Sequence, residues 1–323
     1  MTERVLITGA SGFVGRRLVE SLGGAGYSLR ALTHRRRLDA SGVEERSVDL
    51  AQAGDWSEHV AGCDLVVHAA AALDPAPSEA VADAVNRRAT LALAEAAAEA
   101  GVRCFVFLSS MAALGFHPDS GLLSPLDTPR PTTAYGRSKL AAERGLSKLA
   151  GPMRVAVLRP PTVFGPGEYR NFLSLVRAVD TGLFLIPGRG DNRMSFCNLE
   201  TLVDAIAWAL RDQRARSVLH VADPPIRFRQ AVSVIADVLD RPLPPVPLPM
   251  PLARAAALGC EVVFRALGKQ PPLSLGRLRT LTSDAALDVS GTERLGFRSR
   301  HDFRSGVEAT IAWYRAQGLL RPR

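Results

Sequence analysis

The sequence predicts an α/β fold: a Rossmann-type, doubly wound parallel sheet with a smaller C-terminal substrate domain. Three observations lead to this prediction. Short, continuously apolar runs alternate with Ala-rich helical patterns in the first half of the chain, a glycine-rich turn follows the first of these runs, and the pattern becomes irregular after Pro160. Because strands that are apolar along their whole length are covered on both faces, the alternation favours a parallel sheet between layers of helices.

The strand-like runs are residues 5–8, 28–33, 64–69, 102–109 and 154–159. Helical patterns lie between several of them, at residues 12–22 and in an Ala-rich stretch that stops at Gly101, a residue suited to the position after a helix end. Later elements are a helix at 199–211, a strand at 219–222 and an apolar helix at about 252–267. We predict a Rossmann domain at residues 1–165, with a returning segment at about 196–222, and a smaller domain at 166–195 and 223–323.

Composition excludes several classes of protein. The chain has 323 residues, is 47% hydrophobic and 22% charged, and has a formal net charge of +8, which is typical of a globular protein. Its basic residues are scattered and aromatic residues make up only 6%, so nucleic-acid binding is not predicted. The four cysteines lack metal-ligand spacing, and neither a leader nor a membrane-spanning segment is visible. We expect a cytoplasmic protein without a metal.

The turn after the first strand has the spacing of a phosphate-binding loop. Its sequence, TGASGFVG, places Gly9, Gly12 and Gly15 between a strand and a helix. The first glycine permits a tight turn, the second a close approach to a pyrophosphate, and the third close packing of helix on strand. The helix N-terminus also attracts phosphate. We therefore predict a dinucleotide cofactor that contacts Gly9, Ser11, Gly12, Phe13, Val14 and Gly15.

The residues after the second strand bear on which dinucleotide binds. An acid at this position usually binds the adenosine ribose of NAD, whereas a basic residue accommodates the 2′-phosphate of NADP. Residues 34–37 are His-Arg-Arg-Arg, and the first acid after the second strand is Asp39. Since guanidinium groups bind phosphate bidentately, the run favours NADP(H), with NAD(H) as the alternative and with contacts at His34 and Arg35. A solvated charged loop is the other interpretation of this run.

A tyrosine and a lysine lie four residues apart in the segment TTAYGRSKLAAE. At the start of a helix, Tyr135 and Lys139 share one face. We expect the ammonium of Lys139 to lower the pKa of Tyr135 from its usual value of about 10. Tyr135 could then exchange a proton with an alcohol or ketone oxygen, while Lys139 holds the cofactor ribose. Ser110, preferred over Ser109, follows a strand where ligands bind and would donate a hydrogen bond to the substrate oxygen.

Together these motifs resemble the extended short-chain dehydrogenase/reductase superfamily, which contains NAD(P)-dependent sugar epimerases and dehydratases. The segments that carry the resemblance are TGASGFVG, Asp49-Leu50, HAAA at 68–71, Asn86 with Thr90, LSS, YGRSK and LRPPTVFGPG. They follow the order of that family over nearly the whole chain. The resemblance implies an NAD(P)-binding Rossmann domain, a small-molecule substrate, a Ser110, Tyr135 and Lys139 triad, and a homodimer. It also implies cofactor contacts at Asp49, Leu50, Ala69, Ala70, Ala71, Asn86, Tyr135, Lys139, Pro160, Thr162 and Val163, and substrate contacts at Ser110, Met111, Asn171 and Arg193.

Two branches of the superfamily compete for the substrate. Residues 171–188 and 192–206 resemble nucleotide-sugar 4-epimerases and 4-ketoreductases. However, Met194 occupies the position of that branch's diphosphate-binding arginine, and Arg193 would leave its strand on the opposite face. Residues 249–268 resemble the 3β-hydroxysteroid dehydrogenase-like branch, although this apolar helix could also simply pack the second domain.

We predict an NAD(P)(H)-dependent oxidoreductase or epimerase that transfers hydride at a secondary alcohol or ketone carbon. The preferred substrate is a nucleotide-sugar, with 4-keto reduction ahead of 4-epimerisation. The alternatives are a dehydrogenase for apolar alcohols and a non-catalytic dinucleotide sensor.

Overall fold

Strands and helices alternate along the computed structural model, which describes residues 2–52, 54–73, 77–115, 121–149, 151–244, 246–268 and 274–321. In chain order the elements are β1 (Arg4–Thr8), α1 (Phe13–Gly24), β2 (Ser28–Thr33), β3 (Val43–Ser47), α2 (Ser57–Val60), β4 (Leu65–His68), α3 (Glu79–Ala82), α4 (Ala89–Glu99), β5 (Cys104–Leu108), β6 (Leu122–Leu123), α5 (Ala134–Leu146), β7 (Arg154–Arg159), β8 (Thr162–Phe164), α6 (Asn171–Asp180), β9 (Arg193–Met194), β10 (Phe196–Asn198), α7 (Leu199–Arg211), β11 (Val218–His220), β12 (Ile226–Arg227), α8 (Phe228–Leu239), α9 (Met250–Ala266), α10 (Leu275–Thr282), β13 (Ala286–Leu287), α11 (Ser290–Arg294) and α12 (Phe303–Ala316). A π-helical segment, Asp83–Arg88, leads directly into α4, and a 3₁₀ turn, Met111–Ala113, follows β5. Within the described residues, no helix is long and apolar enough to cross a membrane.

Seven strands form one parallel sheet in the order β11-β7-β5-β4-β1-β2-β3. One apolar cluster packs α1 and α7 on one face of this sheet, and a second packs α4 and α5 on the other. Val5 and Ile7 belong to the first cluster and Leu6 to the second, because alternate residues of a strand point to opposite faces. The predicted doubly wound α/β fold is confirmed, and the five predicted apolar runs form β1, β2, β4, β5 and β7.

The edge strand β3 is not predicted from the sequence. Its residues, VEERS, form no apolar run, since this strand lies at the border of the sheet. Glu44 pairs with the buried Arg30 of β2 at 3.0 Å and with Arg46 of its own strand. Charged side chains on an edge strand oppose pairing with another chain.

The chain leaves the sheet after β7 and returns to it with β11. The returning strand pairs with β7, although residues 166–195 lie between them in the sequence. Arg154 of β7 is buried, and its guanidinium donates to the carbonyls of Ala209, Leu210 and Ala215 at and just beyond the end of α7. This return supports the two-domain division given above, which we retain as a proposal.

A third apolar cluster lies in the C-terminal part of the chain. It joins α6, α8 and α12 to β8 and β10, with the phenylalanines 164, 172, 196 and 228 and Tyr314 at its centre. The apolar helix α9 is packed differently, because only Ala253 and Ala257 of its residues are buried. These two alanines contact Leu278 of α10.

The sheet order places several loops at one edge. The carboxyl ends of β1, β4, β5 and β7 are neighbours, and the strand order reverses between β1 and β4. Ligands of open α/β sheets bind outside the carboxyl ends of the strands at such a reversal. We therefore look for the functional site among the loops that follow these four strands.

Candidate active site

The loop after β1 is shaped to approach a ligand closely. Gly9 has a φ of 67°, and a Cβ atom at this position would lie 2.8 Å from the Cα atom of Ala70. A Cβ atom at Gly15 would lie 2.1 Å from the carbonyl oxygen of Gly9. Gly12 is the N-cap of α1, whose first turn has neither a side-chain cap nor an acidic residue. The backbone amides of this first turn and the positive end of the helix dipole fit the pyrophosphate of a dinucleotide.

The loop after β4 packs directly against the phosphate loop. The Ala70 amide donates to the hydroxyl of Thr8, which also bonds Nδ1 of His68 at 2.7 Å. The other nitrogen of His68 lies 2.8 Å from the hydroxyl of Thr90 on α4. Burial lowers the pKa of His68 to about 3, so this imidazole is neutral at physiological pH. His68 therefore links β1, β4 and α4, and places Ala69, Ala70 and Ala71 beside the phosphate loop.

Asn86 connects the loop after β4 to helix α5. Its side-chain oxygen accepts from the Ala72 amide at 2.7 Å, and its nitrogen donates to the Ala72 carbonyl and to the Ser138 hydroxyl, both at 3.0 Å. The side chain is fully buried in the π-helical segment. Asn86 was predicted to contact the cofactor, and its amide group is directed to these protein groups. It fixes the cofactor-side loop relative to the helix that carries Tyr135.

The basic loop after β2 is exposed, and hydrogen bonds to neighbouring elements hold it in place. Residues 34–37 are all exposed, and His34 lies 3.9 Å from the carboxylate of Asp49. Glu45 of β3 accepts hydrogen bonds from the Thr33 hydroxyl and from the amides of Leu38 and Asp39. The bond from the Leu38 amide is the main cause that lowers the pKa of Glu45.

Sequence reasoning missed Glu45, because β3 itself gives no apolar signal. A second tie comes from Arg16 of α1, which donates to the carbonyls of Ser11 and Arg37. The basic loop is therefore held next to the phosphate loop.

Ser110, Tyr135 and Lys139 come together at the carboxyl end of β5. The hydroxyl of Ser110 lies close enough to that of Tyr135 to lower the pKa of the phenol. The Ser110 hydroxyl also accepts from the Ala112 amide at 3.1 Å, which fixes the turn. Gly136 allows this contact, because a Cβ atom there would lie 2.3 Å from the Ala112 carbonyl oxygen. The start of α5 can thus rest on the 3₁₀ turn that follows Ser110.

Burial controls the protonation of Tyr135 and Lys139. It raises the pKa of Tyr135 to about 12, although the Ser110 hydrogen bond and the charge of Arg170 oppose this shift. Burial also lowers the pKa of Lys139 to about 7, against the attraction of Glu143. The predicted lowering of the Tyr135 pKa by Lys139 is therefore wrong. The partly buried Tyr135 and the fully buried Lys139 have each shifted toward their neutral forms.

The position of the Lys139 ammonium explains why it has little influence on the phenol. Its Nζ atom donates to the Leu108 carbonyl at 2.8 Å and lies 4.5 Å from the ring centroid of Phe107. The centroid of the Tyr135 ring is farther away, at 5.9 Å. Lys139 is thus directed at the end of strand β5.

A buried ion pair lies one helical turn beyond Lys139. Glu143 accepts two hydrogen bonds from Arg159 of β7, at 2.9 and 2.5 Å, and one from the Ser109 hydroxyl at 2.5 Å. The side chains of Glu143 and Arg159 are each only 4% exposed. Ser109 therefore points into the protein, whereas Ser110 faces Tyr135. The spacing of Tyr135, Lys139 and Glu143 by four residues is a sequence signal for this shared face that the sequence analysis did not use.

The remaining predicted contacts lie around this centre. The Met111 amide donates to the Pro160 carbonyl at 2.9 Å, which joins the loops after β5 and β7. Thr162 and Val163 are in β8, which pairs with β10. Asp49 and Leu50 follow β3, and the Asp49 carboxylate also accepts from the Ala51 amide.

Two predicted substrate contacts belong to the C-terminal part. Asn171 is exposed at the first position of α6. The preceding residue, Arg170, lies close enough to Tyr135 to lower its pKa, and sequence reasoning missed it. Arg193 is exposed on β9, whereas Met194 packs against the third apolar cluster. Adjacent residues of this strand therefore point in opposite directions, as predicted.

A cavity of about 940 Å³ lies beside β9. Arginines 189, 254 and 279 line it, together with Pro187, Gly188, Gly190, Asp191, Asn192, Met250, Leu275, Leu278, Thr282 and Ser283. Asp191 is the one acid in this lining and pairs with Arg189, Arg227 and Arg229. The cavity is therefore positively charged.

Short strands connect the cavity region to the triad. Met194 bridges Ala285, and β13 then pairs with β6. Leu123 of β6 packs in one cluster with Met111 and Leu114, close to Ser110.

Comparison with known proteins gives consistent results. Residues 5–222 match the profile described as the NAD dependent epimerase/dehydratase family. The UDP-glucose 4-epimerase of Vibrio cholerae is 30% identical over 96% of this chain and 95% of its own length. An N-acetyl-α-D-glucosaminyl-diphospho-ditrans,octacis-undecaprenol 4-epimerase of Escherichia coli O157:H7 is 26% identical over 97% of this chain and 96% of its own.

A solved structure has the same fold over nearly the whole chain. It is that of MoeE5 in complex with UDP-glucuronic acid and NAD, which is 28% identical. The match covers 97% of this chain and 99% of that one, with a TM-score of 0.74.

Proposed function

The chain belongs to the NAD dependent epimerase/dehydratase family, and we propose that it transfers hydride at a secondary alcohol or ketone carbon of a nucleotide-sugar. The observation that carries this proposal is the meeting of Ser110, Tyr135 and Lys139 beside a phosphate loop. We assign these three side chains the catalytic roles. A sensor protein would have no use for a buried proton donor bonded to a serine.

A nicotinamide dinucleotide held at the loop of Gly9, Gly12 and Gly15 would supply or accept the hydride. Ser110 donates a hydrogen bond that holds the substrate oxygen, and Tyr135 exchanges the proton. Because the pKa of Tyr135 is about 12, its hydroxyl is protonated at neutral pH. This protonation state suits the reductive direction, in which the phenol donates a proton to a carbonyl oxygen. Because residues 34–37 contain no acid to hold the ribose of a tightly bound NAD, we place ketone reduction ahead of epimerisation.

The substrate class is inferred from two sources. Two relatives that align over their whole length are 4-epimerases of diphosphate-linked sugars, and MoeE5 was solved with UDP-glucuronic acid. The arginine-lined cavity offers a place for an anionic diphosphate, since guanidinium groups bind phosphate well. We propose that Arg189 and Arg279 replace the diphosphate-binding arginine that is missing at the position of Met194.

We also propose that the preferred dinucleotide is NADP(H). Residues 34–37 present three arginines to solvent. The carboxylate of the nearby Glu45 already accepts hydrogen bonds from Thr33, Leu38 and Asp39. The double variant Arg35→Ala, Arg36→Ala should weaken NADPH binding about 10- to 100-fold, because a charge-assisted hydrogen bond contributes roughly 1.5–3 kcal/mol. Its affinity for NADH should change less than about threefold. Equal losses for both dinucleotides, measured by fluorescence titration, would contradict this preference.

A calorimetric titration of UDP into protein saturated with NADPH tests the substrate class. We expect micromolar binding, which a double variant Arg189→Gln, Arg279→Gln should weaken at least about tenfold. Reduction of a UDP-4-keto-sugar, followed by loss of NADPH absorbance, should accompany this binding. If UDP and other nucleoside diphosphates fail to bind, the nucleotide-sugar proposal is wrong and an apolar ketone becomes the substrate to assay.

A further inference from the structure

Helix α9 has several large apolar side chains that are exposed to solvent. Leu252, Leu258, Val262, Val263 and Leu267, which ends the helix, are each more than half exposed, from 53% for Leu258 to 62% for Val262 and Leu267. We call these five residues the outer face of α9. The inward side of the helix is held only by small residues, since Ala253 and Ala257 are its buried positions. A contiguous exposed apolar surface of this kind marks a site of interaction.

The charges of α9 follow one stripe at the border of the outer face. Successive residues of an α-helix are rotated by about 100°, so Arg254, Glu261 and Arg265 lie within about 40° of one another. Residues 255–260 between them carry no charge at all. Glu261 turns toward α10, where its carboxylate accepts from the Leu275 amide at 2.8 Å. The charged border of the outer face therefore carries two arginines and one acid, a net charge of +1.

Two further large apolar side chains are exposed in the two segments that a bridge between Pro187 and Leu248 brings together. Pro187 and Leu248 form a single bridge, which places residues before each of them side by side. Leu183 is 79% exposed and Val246 is 67% exposed in these two segments. The basic border continues as well, because Arg189, Arg254 and Arg279 line the neighbouring cavity.

We infer that the outer face of α9 binds the surface of an anionic lipid bilayer. Its leucines and valines enter the boundary of the acyl chains, and Arg254 and Arg265 meet the headgroup phosphates. The helix of 17 residues is about 26 Å long and lies in the plane of the membrane.

Flotation of the full chain with lipid vesicles tests this inference. We expect binding to vesicles of equal parts phosphatidylcholine and phosphatidylglycerol, and about fivefold weaker binding to phosphatidylcholine alone, since the net charge of +1 on the border contributes about a factor of five near an anionic surface. Added salt should reduce the binding to the mixed vesicles. Equal binding to both kinds of vesicle, or no binding to either, would overturn the inference.

Matched variants locate the contact. The double variant Leu258→Glu, Val262→Glu should lose at least about tenfold in binding to the mixed vesicles, because carboxylates are costly at the acyl boundary. Leu126→Glu is the control, since Leu126 is 93% exposed and lies outside the outer face of α9. The altered side chains are all exposed, so circular dichroism melting curves should match that of the parent protein. Unchanged flotation of the double variant would contradict the assignment.

Fluorescence gives an independent measurement. A tryptophan in Val262→Trp should shift its emission to shorter wavelength when mixed vesicles are added, and one in Leu126→Trp should not. Sedimentation equilibrium without lipid tests the alternative occupant of this face, a second copy of the chain. If the double variant instead converts a dimer to a monomer, and the parent protein does not bind vesicles, the outer face of α9 pairs with a second copy and the membrane inference is wrong.

Discussion

Around Tyr135 the polar side chains are buried and bonded to neighbouring elements, whereas around α9 apolar side chains face solvent and the helix rests on two alanines. The first region keeps reacting groups within hydrogen-bonding distance, where a shift of 1 Å would matter. The second region combines an arginine-lined cavity with an exposed apolar helix. Reaction chemistry and ligand recognition thus lie in parts of the molecule with opposite packing. If this contrast is correct, equivalent substitutions should have very different effects in the two regions.

The largest effect should come from removing the phenolic hydroxyl at the centre of the first region. We expect Tyr135→Phe to lower kcat about 10³-fold, because proton transfer by a positioned side chain contributes 10²- to 10⁴-fold. Dinucleotide affinity, measured by fluorescence titration, should change less than about threefold. Tyr27→Phe is the control, since that hydroxyl accepts only from the exposed Arg211. Retention of more than about a tenth of the activity by Tyr135→Phe would refute the assigned role.

Breaking the buried ion pair should reduce stability more than breaking an exposed one. Glu143→Gln leaves Arg159 buried beside a neutral group, so we expect the free energy of unfolding to fall by about 3–5 kcal/mol. Asp237→Asn breaks the exposed pair with Arg304 near α8 and should cost less than about 1 kcal/mol. Urea denaturation measures both values. Similar losses for the two variants would show that burial does not determine how much an ion pair contributes to stability.

Replacing a glycine with alanine should also affect stability differently in the two regions. Gly15→Ala places a Cβ atom 2.1 Å from the Gly9 carbonyl oxygen, so we expect a loss of about 3 kcal/mol in stability and weaker dinucleotide binding. Gly259→Ala in α9 meets nothing within 4 Å and should raise stability by up to about 1 kcal/mol through helix propensity. Thermal denaturation of both variants makes the comparison, and a destabilising Gly259→Ala would show that α9 is packed in solution.

The smallest expected effect per residue is a pH dependence of stability that originates in the sheet. The pKa values of His68 and His220 are lowered by burial to about 3 and about 4, so the unfolded chain binds protons that the folded chain does not. Their contribution is fully present above a pH of about 6.5 and is lost as the pH falls toward the folded pKa values. We expect roughly 2 kcal/mol per histidine to be lost between about pH 7 and pH 5.

Urea midpoints across this pH range measure the loss. His220→Asn should reduce the slope by about half, since only His68 then contributes. An unchanged slope in this variant would place the pH dependence elsewhere in the molecule.

The sequence alone predicted those features whose physical requirements involve residues close together in the chain. The phosphate loop needs glycine at Gly9 and Gly15 for backbone contact, and buried strands need continuous apolar residues, so both were visible. The meeting of Tyr135 with Ser110 follows from one helix start and one strand end, which the predicted topology brings together.

Features that depend on distant partners could not be predicted. Glu45 lies on a polar edge strand, and its role depends on the amides of a loop that the sequence alone does not place. The high pKa of Tyr135 depends on burial and on the Lys139 ammonium being directed at the Leu108 carbonyl, so residue spacing suggested the opposite shift. The number of apolar residues in α9 also does not reveal that most of them face solvent.

The return of the chain to the sheet has a consequence for protein synthesis. Six parallel strands of the sheet leave the ribosome before residue 160, but β11 and α7 follow only after the segment that leads to the third cluster has been made. Until then the guanidinium of Arg154 lacks the carbonyls of Ala209, Leu210 and Ala215, and β7 is an open edge of the sheet. The nascent chain therefore has an exposed strand that another chain can pair with. Chaperone binding should concentrate in this interval of translation, before residue 220 has emerged.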